Sequence, residues 1–422
     1  MEEYFLFFKV KECRICGSKD LEKYFSLGAL PLANNLVDLE KTESDDFFPL
    51  EVLFCKNCFL SQLSVVVAPK LLFSDYAYRT SISSTFQKHF AVMAEHVKEF
   101  FPHTKESLVI DIASNDGCML QEFKKQGFKV LGIDPAVNLA KIAEEKGIPT
   151  LVEFWNQKVA EKVLREQGKA KVVAASNVFA HVHDIHEFIK GVKKVLDKDG
   201  IFILEFPYAL HLIEKNEFDT IYHEHLSYFL VKPLIKLFES EEMKVFDVKE
   251  IPIHGGSIRV FVKHKENKEI QIQEKNIDFF LEKEKEKKLY DLETYFDFAD
   301  KCMDVKIAFL KMLSELKKQK NKIAGFGAAA KASTLLNYCG IGTNYIEFIA
   351  DDALTKQHKA FGGNRVPIVP SSVLEKEKPD YLVLFAWTIA KELIQKTKEH
   401  QKNGKYIIPM PFPKIVKDET EL

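Results

Sequence analysis

The chain has 422 residues, of which 46% are hydrophobic and 29% are charged, and its formal net charge is −2. That length exceeds what one hydrophobic core normally serves, so two or three domains are expected. The near-neutral charge argues against a nucleic acid or an anionic membrane as partner, and no apolar run approaches the roughly 20 residues that a bilayer span needs. Acidic residues occur where a secretion signal would be basic, which predicts a cytoplasmic protein.

Four of the seven cysteines form two C-x-x-C pairs, Cys13/Cys16 and Cys55/Cys58. Two intervening residues let both thiolates of a pair face one tetrahedral ion, and two pairs complete a structural zinc site that has no open position for chemistry. Unmetallated core thiols or redox pairs are the alternatives, although a redox pair normally opens a helix after a strand. We predict a small zinc-binding domain with its linker over residues 1–80.

Residues 81–245 are expected to form an α/β domain, because apolar strand patterns alternate with helical patterns there. Strands are predicted at 108–112, 130–134, 171–175 and 201–205, with helices at 117–126 and 186–196. In a parallel sheet, ligands bind beyond the carboxyl ends of the strands. This rule places the turn at 113–117, Asp134 and Asn177 around one crevice.

The first of these turns, Asp111 to Gly117, contains a single glycine. A dinucleotide fingerprint has three glycines that let the backbone approach a pyrophosphate, so the turn argues against NAD or FAD. Asp134 follows Asp111 at a distance suited to binding ribose hydroxyls. S-adenosylmethionine fits both observations, and an α/β scaffold without a ligand is the alternative.

The segment Tyr222-His223-Glu224-His225 places a phenol, two imidazoles and a carboxylate in consecutive positions. These groups move protons near neutral pH, whereas the alternative is a polar loop. A zincin motif has its two histidines at i and i+4 on one helical face. His223 and His225 are only two positions apart, so the segment is predicted to be a proton-transfer site and not a metal site.

Residues 246–422 are expected to form a second Rossmann-like domain with a helical insertion. The lysine- and glutamate-rich segment 266–322 predicts one or two long amphipathic helices. A G-x-G-x-x-A turn starting at Gly325 then lies between a strand and a helix, and its small residues and free amides can hold a pyrophosphate, with Lys331 adding charge. Helix–strand packing is the alternative explanation, and NAD-linked oxidoreduction at this turn is the least favoured function.

Six motifs occur in an order that resembles the nucleotide-sugar C-methyltransferases, over nearly the whole chain. They are the two C-x-x-C pairs, the S-N-D-G turn at 114–117, N-V-F-A-H at 177–181, E-F-P-Y at 205–208, Y-H-E-H at 222–225 and H-G-G-S-I-R at 254–259. The resemblance implies a zinc-binding domain, a class I S-adenosylmethionine-binding domain and a C-terminal Rossmann-like domain. This chain departs from the family in Ala113, where glycine is common, and in Asp134, where glutamate is usual.

The resemblance further implies methylation of the carbon beside the ketone of a nucleotide-linked, dTDP-4-keto-type deoxysugar. His225 is then the base that forms the enolate, Tyr222 assists it or donates to the oxyanion, and Glu224 orients a neighbour or binds a substrate hydroxyl. His181 and Tyr76 complete the expected catalytic group, with Tyr78 as the alternative to Tyr76. Methylation of a sugar oxygen or nitrogen is the alternative within enzymes, and a non-catalytic zinc-ribbon binding protein is the alternative outside them.

Two sets of binding residues follow from the same resemblance and from the strand-end positions. Cofactor contacts are expected from Asp111, Ala113, Ser114, Asn115, Asp134 and Asn177. Substrate contacts are expected from Tyr76, Asn177, Gly255, Gly256, Gly325, Gly327 and Lys331. The expected partner is a nucleotide-diphosphate sugar, with no nucleic acid or membrane, and the protein is expected to be a monomer or a weak oligomer.

Overall fold

The computed structural model describes residues 6–40, 45–73, 80–82, 84–253, 255–398 and 404–422. Tyr76, Tyr78 and His254 therefore lie outside the described residues. Within these ranges, no helix combines the length and the apolar character needed to cross a bilayer.

The N-terminal unit consists of short antiparallel strands followed by one short helix. Its elements are β1 (Phe7–Lys9), β2 (Leu21–Leu30), β3 (Leu36–Asp38), β4 (Phe48–Cys55), β5 (Ser61–Leu63), β6 (Val65–Val67) and α1 (Pro69–Phe73). Strand β4 pairs with β2 on one side and β5 on the other. Buried and half-buried side chains alternate along most of β4, as the two-residue period of a strand facing a core on one side requires.

The central unit is a seven-stranded sheet with helices on both faces. Its elements are α2 (Ser84–Phe100), β7 (Leu108–Ile112), α3 (Cys118–Lys125), β8 (Lys129–Ile133), α4 (Val137–Glu145), β9 (Thr150–Leu151), α5 (Gln157–Gln167), β10 (Ala170–Ser176), α6 (Ile185–Val195), β11 (Leu196–Pro207), α7 (Ala209–Glu214), β12 (Ser227–Tyr228), α8 (Val231–Ser240), β13 (Met243–Ile251) and β14 (Ser257–His264). The predicted strands and helices of this part of the chain are confirmed, with shifts of a few residues at their ends.

The order of the central strands is β13-β14-β11-β10-β7-β8-β9. Neighbouring strands from β11 to β9 run parallel, and β14 is antiparallel to both of its neighbours. The expected class I methyltransferase fold is therefore confirmed. The expected boundary at 245/246 falls inside β13, because the antiparallel pair β13–β14 belongs to this sheet and extends it to His264.

The C-terminal part begins with the two predicted long helices and continues as a second α/β sheet. Its elements are α9 (Glu274–Glu286), α10 (Leu292–Lys318), β15 (Ile323–Phe326), α11 (Ala330–Cys339), β16 (Ile349–Ala350), β17 (Lys359–Phe361), β18 (Ile368–Val369), α12 (Val373–Glu377), β19 (Tyr381–Leu384), α13 (Ala390–Thr397), β20 (Lys405–Ile408) and β21 (Lys414–Val416). The strand order β18-β16-β15-β19-β20-β21 is parallel except for β21. The predicted Rossmann-like unit is confirmed.

Strands of the N-terminal unit pair with both other units. Strand β5 pairs with β12 of the central unit, and β3 pairs with β17 of the C-terminal unit. Asp45 reinforces the second contact by accepting hydrogen bonds from the backbone of Gly363 at 2.8 Å and from the guanidinium of Arg365 at 3.0 Å. One continuous hydrophobic core contains side chains of all three units. The N-terminal unit thus joins the two Rossmann-like units on the side where the Tyr222–His225 segment lies.

Candidate active site

The four paired cysteines come together at the turn after β1 and the turn after β4. Their sulfur atoms all lie within 4.8 Å of one another, with Cys13 and Cys58 at 3.4 Å and Cys16 and Cys55 at 3.6 Å. A tetrahedral zinc ion with Zn–S bonds of about 2.3 Å places its sulfurs about 3.8 Å apart. The thiol geometry therefore fits one structural zinc ion held by four sulfurs.

The first turn of the central sheet is built around the carboxylate of Asp134. Its two oxygens accept hydrogen bonds from the backbone N–H groups of Asn115 and Ala136, each at 2.8 Å. Burial raises the pKa of Asp134 to about 6. Ala113 and Asn115 both have positive φ angles, 61° and 53°, so the turn adopts left-handed geometry at two residues other than glycine. The structure brings Ala113, Ser114, Asn115 and Asp134 together at the strand ends, as predicted.

Asp111 lies beneath this turn and has 3% of its surface exposed. Burial, together with the nearby carboxyl groups of Asp134 and Glu205, raises the pKa of Asp111 well above its ordinary value. A glycine in the neighbouring strand makes room for the turn, because a methyl group at Gly132 would lie 2.5 Å from the hydroxyl oxygen of Ser114.

Three exposed apolar side chains that were not predicted follow the strand ends at β8 and β9. Val137 is 66% exposed at the start of α4, and Val152 and Phe154, which follow β9, are 42% and 39% exposed. Only Val137 had a signal in the sequence, because it lies shortly after the end of the predicted strand 130–134. The backbone N–H of Asp134 donates to the carbonyl of Leu151, so Val152 directly follows a residue that is hydrogen-bonded to Asp134.

His225 has a hydrogen bond that fixes the positions of its proton and its lone pair. The ring atom Nδ1 lies 2.7 Å from the carbonyl oxygen of Thr220. A carbonyl can only accept, so Nδ1 carries the proton and Nε2 carries the basic lone pair. The ring centre of His225 lies 4.0 Å from that of Tyr222 and 5.0 Å from that of His181. Three of the predicted catalytic side chains therefore form one cluster.

His181 reaches this cluster from the segment that follows β10, and Asn177 is the first residue of that segment. His181 ends a single 3₁₀ turn, Phe179–His181, and its ring stacks on Phe73 with ring centres 5.7 Å apart. Burial lowers the pKa of His181 to about 4, which keeps its imidazole neutral at physiological pH. Asn177 has a φ of 56°, and its backbone N–H donates to the carbonyl of Glu205 at 2.7 Å.

The two middle residues of the Tyr222–His225 segment contact the N-terminal unit. His223 is buried, and its Nε2 donates to the carbonyl of Phe48 at 3.2 Å. Burial lowers the pKa of His223 to about 4, although that hydrogen bond opposes the shift. The buried carboxylate of Glu224 accepts a hydrogen bond from the side-chain amide of Asn34 at 2.6 Å. The segment therefore splits into residues that face the cleft and residues that hold it against the N-terminal unit.

A buried ion pair behind Asn177 was missed by the sequence analysis. The carboxylate of Glu205 is paired with the guanidinium of Arg259, and it lies 2.9 Å from Nε2 of His89 and 3.1 Å from the hydroxyl of Ser176. Burial alone would raise the pKa of Glu205, but the hydrogen bond from His89 and the charge of Arg259 outweigh it and hold that pKa below 4.5. Glu205 and Arg259 belong to recognised motifs, whereas nothing around His89 marks it.

Gly255 and Gly256 pack against side chains of the central unit. A methyl group at Gly255 would lie 2.7 Å from Oε1 of Glu217, and one at Gly256 would overlap the ring of His211. Both residues also have positive φ angles, 86° and 129°. The tight turn and these close contacts explain why both positions are glycine, independently of any bound substrate.

The G-x-G-x-x-A turn of the C-terminal unit repeats the hydrogen bonds of the first turn. Asp351 accepts from the backbone N–H groups of Ala328 at 2.7 Å and Ala353 at 2.8 Å. Gly327 has a φ of 91°, as a tight turn requires. Gly325 instead lies within β15, where a methyl group would meet the ring of Phe385 at 2.6 Å, so packing is a sufficient reason for that glycine.

Lys331 follows this turn and lies next to the central unit. Its ammonium group is 5.2 Å from the ring centre of Trp387, and the indole N–H of Trp387 donates to Asp219 at 2.7 Å. Asp219 directly precedes Thr220, whose carbonyl holds His225. The turn of the C-terminal unit and the His225 cluster therefore belong to one continuous region.

Comparison with known families divides the chain into three matches. Residues 13–73 match the family described as a putative zinc binding domain, residues 86–245 match a methyltransferase domain, and residues 252–411 match a C-methyltransferase C-terminal domain. The chain is 36% identical over 416 residues to the C-methyltransferase NovU of Streptomyces niveus, which covers 98% of both chains. It is also 25% identical over 100 residues to a ubiquinone biosynthesis O-methyltransferase of Pelagibacter ubique, covering 24% of this chain and 42% of that one.

Solved structures match a smaller part of the chain. Magnesium protoporphyrin IX methyltransferase from Synechocystis, with bound SAM, is 12% identical, with a TM-score of 0.33, and the match covers 42% of this chain and 79% of that one. The PH0226 protein from Pyrococcus horikoshii is 14% identical, with a TM-score of 0.36, and the match covers 47% of this chain and 98% of that one.

Proposed function

Because this chain belongs to the family of S-adenosylmethionine-dependent C-methyltransferases, we propose that it methylates the ring carbon next to the ketone of a nucleotide-linked deoxysugar. The observation that carries this proposal is the hydrogen bond from Nδ1 of His225 to the carbonyl of Thr220. It turns Nε2 into a base beside the phenol of Tyr222. Removing a proton from carbon requires such a base near an oxyanion donor.

In the proposed reaction, Nε2 of His225 takes the proton from the carbon beside the ketone. The hydroxyl of Tyr222 donates to the oxygen of the enolate, which carries the charge that develops. A positioned base is worth roughly 10²- to 10⁴-fold in rate, and a donor aimed at the oxyanion adds roughly 10²- to 10³-fold. The strand ends of the central unit would hold S-adenosylmethionine, whose methyl group would bond to the enolate carbon while the methyl–sulfur bond breaks, so that the sulfur keeps that electron pair and S-adenosylhomocysteine leaves. His225 then releases its proton to solvent.

The strand ends of the central unit suit the cofactor. Asp134 can accept from ribose hydroxyls while it keeps its two backbone hydrogen bonds, because each carboxylate oxygen has two lone pairs. The exposed side chains of Val137 and Phe154 offer apolar surface to the adenine ring. His181 follows strand β10 and its ring centre lies 5.0 Å from that of His225, where the reacting carbon would meet the methyl group.

We assign the nucleotide diphosphate to the turn before α11. No side chain caps this ten-residue helix at its N-terminus, so its first amides can donate to phosphate oxygens. Lys331, in the first turn of the helix, adds a positive charge on the side that faces Asp219 and the His225 cluster. This assignment places the sugar between the two Rossmann-like units.

The test compares a 4-keto sugar nucleotide with the same compound reduced to the alcohol, using product mass and carbon NMR. We expect the keto form alone to gain a methyl group, bound to carbon. His225→Ala should lower turnover by at least about 10²-fold and Tyr222→Phe by about 10-fold or more, while both variants keep their affinity for S-adenosylmethionine in calorimetry. Methylation of the reduced form would overturn the proposal in favour of an O-methyltransferase.

A further inference from the structure

Arg14 lies between two zinc-binding cysteines but extends into the protein interior. Only 7% of its surface is exposed. Its backbone N–H donates to the side-chain oxygen of Gln62 at 2.9 Å, and its guanidinium atom Nη1 donates to the carbonyls of Leu63 and Leu226, both at 3.1 Å. One side chain therefore connects the Cys13–Cys16 turn to strand β5 and to the central unit.

Leu226 directly follows His225, the proposed base. Besides Arg14, its carbonyl accepts the backbone N–H of Leu63 at 2.9 Å, and the next residue, Ser227, pairs with Gln62 across β5 and β12. On the other side of His225, the carbonyl of Thr220 holds Nδ1. Thr220 of the central unit thus fixes the imidazole ring of His225. Arg14 and Leu63 of the N-terminal unit fix the backbone directly after His225.

The burial of Arg14 costs free energy that the burial of an apolar residue with a purely structural role would not cost. Its Nε and Nη2 atoms are buried and have no hydrogen-bond partner among the described residues. Burying a cation with unused donors is unfavourable. A zinc ion with four thiolates has a net negative charge, which partly compensates a cation between two of its ligands. Both hydrogen bonds come from one guanidinium nitrogen, Nη1, whose two N–H groups reach two carbonyls at once.

We propose that Arg14 is a positioning residue, which transmits the geometry of the zinc site to His225 through the carbonyl of Leu226. Zinc then does more than stabilise its own unit, because it fixes the turn from which Arg14 projects. The inference rests on the proposed function only for the role of His225 as base. The link between the zinc site and the segment is independent of the reaction.

The test uses the full-length protein and the variants Arg14→Met and Arg14→Lys. Lys11→Met is the matched control, because it removes a positive charge from an exposed position in the same loop. Four properties are measured: zinc per chain, calorimetric affinity for S-adenosylmethionine, kinetic constants, and hydrogen exchange at the amides of Leu63 and His225. These amides donate to the carbonyls of Leu226 and Tyr222, so they report on the segment directly.

For Arg14→Met we expect one zinc per chain, unchanged cofactor affinity and faster exchange at both amides. Its kcat should fall by about 10- to 100-fold with little change in KM, since a misplacement on the order of 1 Å can cost about 10²-fold. Arg14→Lys, which keeps a charged donor on a shorter side chain, should fall between Arg14→Met and the wild type. Lys11→Met should match the wild type throughout.

Unchanged exchange at both amides in Arg14→Met would overturn the proposal. Loss of zinc or of the fold from both Arg14 variants would also overturn it, because Arg14 would then stabilise the zinc-binding unit itself and would not position His225. If the wild type methylates no keto sugar, the proposed function fails. The exchange and zinc measurements would still decide the role of Arg14.

Discussion

Tyr222 and His225 face the cleft, whereas His223 and Glu224 between them face the N-terminal unit. The turn that makes this division is closed by the hydrogen bond from the backbone N–H of His225 to the carbonyl of Tyr222, 2.9 Å long. It gives His223 a position against Phe48 and leaves the cleft to the imidazole of His225. Of the two histidines in this segment, His225 is therefore the one that fits the proposed base.

Glu217 offers a test of buried charge at a single residue. It is 3% exposed, and burial raises its pKa to about 7, although the charge of Lys331 opposes that shift. The folded protein thus holds this proton more tightly than the unfolded chain, whose glutamate has an ordinary pKa of about 4.5. The stability that the neutral carboxyl contributes is fully present below pH 4.5, and it is lost as the pH rises through about 7.

We therefore expect Glu217→Gln to raise the free energy of unfolding at pH 8, by on the order of 2–3 kcal/mol. At pH 4.5 or below, the variant and the wild type should be nearly equal. Urea unfolding at both pH values checks this, with Glu239→Gln on the exposed face of α8 as control. Equal stability of Glu217→Gln and wild type at pH 8 would contradict the burial argument.

At the residue scale, the sequence predicted which residues form the candidate site better than it predicted the directions in which their side chains face. Side-chain types and spacing identified the cysteines, Asp134 and the Tyr222–His225 segment. The division of that segment depends on contacts with Asn34 and Phe48, which are remote in the chain. A local pattern contains no information about such partners. The roles of His225, Tyr222 and His181 as catalytic groups remain predictions.

At the scale of elements, strand β14 connects the edge of the central sheet to the site. It runs antiparallel to β11, and this register places Arg259 opposite Glu205. Helix α2 covers the pair and contributes His89. The carboxylate then accepts from Ser176, which precedes Asn177 at the end of β10. Four elements, β10, β11, β14 and α2, therefore share one buried ion pair behind the expected binding crevice.

We expect Arg259→Met to destabilise the protein by about 3–5 kcal/mol, because it leaves the carboxylate of Glu205 buried without its ion-pair partner. Thermal and denaturant unfolding measure the loss. Arg165→Met, at an exposed position of α5, serves as the control and should stay within about 0.5 kcal/mol of the wild type. A similar small change for Arg259→Met would show that His89 and Ser176 suffice to hold the charge.

The elements themselves were largely predictable, because buried parallel strands and amphipathic helices have strong periodic patterns. The exception is the edge formed by β13 and β14. Their pairing continues the central sheet past the point where the change in composition suggested a new domain. The change in composition predicts where the lysine- and glutamate-rich helices start, but it does not predict which sheet an antiparallel strand joins.

At the scale of the whole molecule, the N-terminal unit is joined to both of its neighbours by strand pairing. Its strands β5 and β3 each pair with a different Rossmann-like unit, and its cysteines bring together the turn after β1 and the turn after β4. This architecture was outside the reach of the sequence, because single strand pairs between distant segments have no local signal. The sequence predicted three units but not their connection.

Removal of zinc should therefore destabilise the whole chain. A structural zinc site of this type contributes on the order of 10 kcal/mol to the folding of small domains. We expect a chelator to remove one zinc per chain and to lower the Tm of the main transition, with re-addition of zinc restoring it. Zinc content and calorimetric unfolding are measured together. A chelated protein with an unchanged main transition and one new low-temperature transition would mean that the N-terminal unit unfolds alone.

The pairing of β3 with β17 has a consequence for how the protein is made. During synthesis the N-terminal unit emerges first, but the partner strand of β3 is translated several hundred residues later. Contacts of such high sequence separation form late and slowly. The edge of β3 therefore stays unpaired at least until the central unit and the first part of the C-terminal unit have been synthesised. We expect the zinc-bound core of the N-terminal unit to hold β3 in a conformation that can pair with β17 once that strand has been made.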